Sequence, residues 1–193
     1  MSPEIAATPA ARHIRLMLKP TLMTLLILLA PAAQAAPGDE MFAKLKGAVE
    51  EAEAADIAAD IWATWLASGS PTVDLLMQRA IEATQAEDYA TAHALLDRVI
   101  LIQPDYPEAW HRRAGLFLQA EDFPEALRDL NQTLTLEPRH FGAWLGMGIL
   151  LETLGGKRQA LESYREVLAL YPLMPQARAG ADRLAKRAEG EAL

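Results

Sequence analysis

Pro104, Pro138 and Pro172 stand 34 residues apart. The same interval relates Ala92, Ala126 and Ala160, then Leu76, Trp110 and Trp144, then Ala80, Ala114 and Gly148. Four columns sharing one period over three units constrain the fold more than any single residue does. A unit of that length cannot bury its apolar face alone, so the units must stack.

Each unit reads as two helices. In the middle one, Pro107 suits a first helical turn, with Asp105 as the expected N-cap. Glu121 to Phe123 breaks the pattern, Pro124 opens the second helix, and that helix closes near Leu136 before Pro138. Glu87 to Tyr89 and Gly155 to Lys157 make the matching turns in the flanking units. The bulk of the apolar residues is Ala and Leu, which favours helix over sheet. Small residues at Ala80, Ala114 and Gly148, and at Ala92, Ala126 and Ala160, let paired helices approach. Trp110 and Trp144 are expected to fill the space between helices, so Trp110→Ala should cost about 3–5 kcal/mol if the ring is fully buried. Arg113, repeated as Arg79, is expected to lay its stem over that packing.

The pattern resembles the tetratricopeptide repeat (TPR) family. Trp110, Ala114 and Phe117 meet its first-helix signature, and Ala126, Leu130 and Pro138 its second. Trp144, Gly148, Leu151, Ala160, Tyr164 and Pro172 match in the third unit, with weaker agreement at Leu76, Ala80, Ala83, Ala92, Leu96 and Pro104 in the first. The resemblance spans residues 73–174. It implies an all-α, right-handed α-solenoid of helix-turn-helix repeats at 73–106, 107–140 and 141–174.

Residues 175–190 continue the register as a capping helix, with Arg178 where Trp stood and Asp182 where Gly stood. Residues 36–70 form an N-terminal helical segment. Phe42, Leu45 and Val49 suit one face of a short helix; Ile57, Ile61, Trp62 and Trp65 suit one face of a second. The pair has the outline of a degenerate fourth unit. Its two tryptophans suit either an exposed docking site or a core packed on the first repeat. Ser70 is the expected N-cap of the helix that follows.

Residues 1–35 have the layout of a secretory signal peptide: Arg12, Arg15 and Lys19, an apolar run from Leu22 to Ala30, then Ala33-Gln34-Ala35. Cleavage is expected after about Ala35, placing the protein in the periplasm or outside the cell. The alternative is an uncleaved anchor, although the run is short for a span and Pro31 interrupts it. After cleavage no stable membrane span is expected. The whole chain carries a formal net charge of -8; removing three cations and one anion leaves 15 basic and 25 acidic residues, a net of -10. That balance lacks the basic footprint of a nucleic-acid binder.

Catalytic constellations are absent from the sequence. With no cysteine, thiolate chemistry and disulfides are excluded. None of His13, His93, His111 and His140 has a second His at ligand spacing, so neither a metal nor a cofactor is expected. Gly155-Gly156-Lys157 lacks the glycines of a phosphate loop and reads as a tight turn. Glu50, Glu51 and Glu53 read as a solvated helix face.

Function is therefore expected on a surface. The family resemblance implies a concave groove lined by the first helices, and here that groove holds Met77, Ile81, His111, Arg112, Gly115, Leu118, Leu145, Ile149 and Glu152. The Lys and Asn clamp that chaperone-binding members use on a terminal carboxylate has no counterpart at those positions. An apolar groove with one cationic spot at Arg112 suits an apolar or helical peptide of a protein partner. Two further arrangements stay open: residues 39–66 of the chain itself fill the groove, or the array is a self-associating structural scaffold. The residues fix no oligomeric state.

Overall fold

A computed structural model describes residues 37–190, with side chains through Lys186. The signal-like segment 1–35 lies outside the described residues. Among these there are nine helices and no strand. They are α1 (Asp39–Gly47), α2 (Glu51–Leu66), α3 (Pro71–Gln85), α4 (Tyr89–Ile102), α5 (Pro107–Gln119), α6 (Phe123–Leu136), α7 (Phe141–Thr153), α8 (Lys157–Leu170) and α9 (Pro175–Gly190). Helices α3 to α8 form three antiparallel pairs stacked in order, and α9 packs on α8 and α7. No described helix is long and apolar enough to cross a membrane.

The period becomes repeated geometry. The turn inside each pair closes with the same bond, donated by Asp88 N to Ala83 O, Asp122 N to Phe117 O and Gly156 N to Leu151 O at 2.8–2.9 Å. Glu87, Glu121 and Gly155 take the left-handed position there, with φ of 58°, 57° and 81°. Glycine is strain-free at that place; the two glutamates are not.

The tryptophan column differs from expectation. Trp110 and Trp144 are only half-buried. Each donates its indole N–H to the carbonyl of the proline that closes the preceding unit: Trp110 to Pro104 at 2.8 Å and Trp144 to Pro138 at 2.9 Å. Arg178 makes the same bond to Pro172 at 3.0 Å. The column is a strut between successive units as much as core, and the cap keeps the strut with a soluble side chain.

Arg113 does more than cover packing. Its guanidinium lies 4.9 Å from the Trp110 ring and grips buried Asp129 through Nε and Nη2, at 2.7 and 2.9 Å, while Nη1 reaches Asp97. That bidentate pair compensates a carboxylate with no solvent of its own.

Tyr164 joins the third unit to the cap. Its ring lies between Gly148 and Gly180, where an added Cβ would come within 2.7 and 2.6 Å of ring atoms. The close approach in α9 is at Gly180, not at Asp182 in the repeat register. The Tyr164 hydroxyl donates to Glu152 Oε2 at 2.9 Å; burial, then this carboxylate, push its pKa up to about 12.

Local expectations shift at several ends. Tyr106, not Asp105, is the N-cap of α5, and Pro107 occupies its first turn. Ser70 holds the N-cap position of α3 without a side-chain cap, and beside it Asp74 accepts from the Ser68 N–H and hydroxyl. Helix α6 starts one residue early, at Phe123. Helix α1 stops at Gly47, leaving Val49 83% exposed rather than on the apolar face.

The N-terminal pair is not a fourth unit stacked ahead of the first. Among the array helices α2 comes closest to α5, while α1 reaches α8. The hairpin thus folds back over the second and third units. Phe42, Leu45, Ile61 and Trp65 join one buried cluster with Phe141, Tyr164, Tyr171, Ala177 and Leu184. The tryptophans do not pack on the first repeat: they lie on the second and third, against His111, His140 and Phe141.

Candidate functional site

Two neighbouring features occupy the groove side, a buried polar cluster under α2 and an uncovered apolar pocket beside it. The cluster begins with Glu108 on the first turn of α5, where a carboxylate suits the helix N-terminus. His140, 32 residues further along the chain, caps α7. Its Nδ1 accepts the Ala143 N–H at 3.0 Å, and its Nε2 lies 3.1 Å from Glu108 Oε2. A neutral ring accepting at Nδ1 carries its proton on Nε2, so His140 donates to Glu108. Both residues are fully buried. On the other carboxylate oxygen, Arg112 Nε stands at 2.7 Å, one helical turn along α5, and His111 Nδ1 approaches Oε2 at 3.5 Å.

Electrostatics hold this cluster in one state. Burial pulls Glu108 towards the neutral acid, but the contacts with His111 and His140 outweigh it and leave its pKa well below the carboxylate range. Burial, joined by the nearby His111, pushes His140 down to about 4 against the pull of Glu108 and Glu137. Near neutral pH the pair is therefore carboxylate and neutral imidazole.

Aromatic rings roof the cluster. Trp65 stacks on His140, centroids 4.1 Å apart and planes 13° from parallel. Trp62 meets His111 at 5.3 Å, His140 at 5.2 Å and Phe141 at 5.5 Å. It fits because α7 carries Gly142 at that point: a Cβ there would lie 2.6 Å from the indole. Tyr106 completes the joint by donating its hydroxyl to Leu66 O at 2.9 Å.

Glu108, His111 and His140 offer ligand atoms within 4.8 Å of one another, the geometry of a small metal site. The chemistry does not fit. His140 Nδ1 is committed as a helix-cap acceptor, so its Nε2 holds a proton where a metal needs a lone pair. Arg112 already neutralises the carboxylate. Glu108 and His140 form a hydrogen-bonded joint, with His111 set against it at 3.5 Å.

Beside it, a pocket of about 320 Å³ opens between α3, α5 and α7. Ile81, Thr84, Arg112, Gly115, Leu118 and Gly146 are among its walls. A Cβ added at Gly115 meets nothing within 4 Å, so the floor there is open space.

The expected groove residues therefore separate. Ile81, His111, Arg112, Gly115 and Leu118 come together around the pocket. Met77, only 2% exposed, belongs to the core of the first unit with Val73, Ala80 and Leu96, and is withdrawn as a contact residue. Leu145 packs against the cluster under the N-terminal hairpin. Glu152 is engaged by Tyr164 and by Arg183, which places both guanidinium contacts at 2.7–2.8 Å. Ile149 lies on the same helix as these, 48% exposed. Sequence reading missed Glu108, His140 and Gly142. The spacing of Glu108 and His111, three apart on one helical face, was the available signal.

No family model matches the chain. It is 35% identical over 152 residues to a TPR repeat-containing protein of Rhizobium etli, an alignment covering 79% of this chain and 74% of that one. Among solved structures it is similar to the Arabidopsis OM64 TPR domain, with TM-score 0.57 and 21% identity over 60% of this chain and 95% of that one. It is also similar to the first TPR of Spaghetti (RPAP3) bound to an HSP90 peptide, with TM-score 0.58 and 19% identity over 61% and 93% of the two chains. These two structural likenesses are likenesses of fold.

Proposed function

This chain belongs to the tetratricopeptide repeat family, and on that premise we propose that it is an exported, non-catalytic module that binds a protein partner through the uncovered part of its groove. TPR folds commonly mediate peptide or protein binding. The observation that carries the reading is the open pocket at Gly115, walled by Ile81 and Leu118 and set beside Arg112. Apolar walls on helical faces suit an apolar or helical peptide segment. Arg112 is already paired with Glu108. The groove thus offers little to a strongly acidic tail such as the peptide SRMEEVD on the RPAP3 domain. Export rests on the layout of residues 1–35; cell fractionation and N-terminal sequencing of the processed protein test it, with Ala36 expected as the first residue.

A second reading, a scaffold whose groove is filled by its own N-terminal helix, draws support from Trp62 and Trp65 lying over the starts of α5 and α7. It accounts for one end of the groove and leaves the pocket at Gly115 uncovered. Light scattering of the processed protein tests the self-association it requires.

The pocket reading is tested with Gly115→Glu, which fills the space without a backbone clash. Photo-crosslinking in envelope extract should yield discrete adducts with the native chain and with Leu101→Glu, a control on the exposed end of α4. Gly115→Glu should lose them. Unchanged adducts from folded Gly115→Glu would remove the pocket as the binding site.

A further inference from the structure

The buried joint under α2 is unused by the function proposed above. His140 has no vacant position for a second proton. Nδ1 faces the Ala143 N–H, Nε2 donates to Glu108, one ring face carries Trp65, and Trp62 closes the edge. An imidazolium in that place would set an N–H against an N–H with no water to solvate it. Lifting the hairpin admits water to the ring and lets the first turn of α7 loosen.

We propose that the α1–α2 hairpin is a proton-released strap: protonation of His140 detaches Trp62 and Trp65 from α5 and α7 and uncovers the N-terminal ends of the groove helices. Proton binding and hairpin docking compete for one imidazole, so each weakens the other by the same factor. The charges facing the ring are known from every element around it. Helix α5 presents Glu108, His111 and Arg112. The α6–α7 connection presents Glu137 and Arg139, which in turn holds Asp39 of α1 at 2.7 Å. Helix α2 presents the two indoles. Glu108 and Glu137 favour the cation, and burial with His111 opposes it more strongly.

The sign follows from that balance. The docked value is about 4 against an ordinary 6.5, so the undocked state takes the proton first. Docking is at full strength above about pH 6.5 and weakens as pH falls towards 4. Between pH 8 and pH 5 the docking equilibrium should drop about 30-fold. In the exported protein, acidification would thereby widen the groove; that consequence rests on the groove reading, while the strap itself does not.

Hydrogen exchange of the processed protein, without any partner, tests the strap independently of the groove. Protection of α2 amides around Ile61 to Trp65, divided by that of α4 amides, should fall about 30-fold from pH 8 to pH 5 after correction for intrinsic exchange. His140→Asn keeps a good cap on α7 and cannot titrate, so its ratio should stay flat. Imidazole NMR of the native chain supplies a second readout that needs no variant, with His140 titrating in step with loss of the Trp62 and Trp65 contacts. A flat ratio in the native chain, an equal slope in His140→Asn, or a His140 that titrates while the hairpin stays docked overturns the proposal.

Discussion

Trp62 occupies the place where a side chain on Gly142 would begin. A Cβ on Gly142 would lie 2.6 Å from Cη2 of the indole and 2.8 Å from Cζ2. The third repeat therefore accepts the N-terminal hairpin only because this position is glycine.

Gly142→Ala should destabilise the protein by about 1–3 kcal/mol, the usual cost of forcing extra volume into a packed joint. In a Trp62→Ala background most of that cost should disappear, leaving only the contact with His111 Nε2 at 3.2 Å. Urea unfolding of the four members of the cycle measures the coupling.

The strut column makes a second prediction. Trp110 is half-buried and its indole bonds to Pro104, so Trp110→Ala should cost about 2–3 kcal/mol, below the value for a fully buried ring. Trp110→Phe, which keeps a ring under the Arg113 guanidinium and loses the indole bond, should cost less than Trp110→Ala. Thermal unfolding of both variants ranks them.

Removing Arg113 takes both close hydrogen bonds from buried Asp129 and leaves only the exposed Arg128, its Nε 3.9 Å away. Arg113→Met should lower stability by about 3–5 kcal/mol at neutral pH. Denaturant midpoints of the variant and the native chain at pH 7 check the size.

Glu87 and Glu121 hold a backbone conformation that their own repeat column fills with Gly155 in the third unit. Glu121→Gly should stabilise by about 0.5–1 kcal/mol, relief of left-handed strain minus the added flexibility of the unfolded chain. The control is Gly155→Glu, which should destabilise by a similar amount in the same unfolding assay.

What repeats in the sequence was legible, and what happens once was not. Pro104, Pro138 and Pro172 marked the units, and Glu121 with Gly155 marked the turns, because each solves the same local problem every 34 residues. The hairpin docks once on a repetitive surface, so its contacts fall on positions that differ between units. Asp74, Glu108 and Gly142 share a column yet do three jobs: holding Ser68, pairing with Arg112 and admitting Trp62. Periodicity averages such a column away. The lack of counterparts for His111 and Arg112 was the visible trace of the asymmetry, and both do border the pocket. Met77 went wrong because helical phase alone places it on the groove, whereas Val73, Ala80 and Leu96 close over it.

The division of the groove between its own hairpin and an open pocket is the centre of this account, and the position of Trp62 tests it most directly. A photoreactive p-benzoylphenylalanine installed at Trp62, followed by mass spectrometry of the digested adducts, reads which residues lie against it. Adducts within one chain to His111 and to residues 140–142 are the predicted result. Adducts confined to α3, as a stacked fourth repeat would give, or adducts joining two chains, would contradict it.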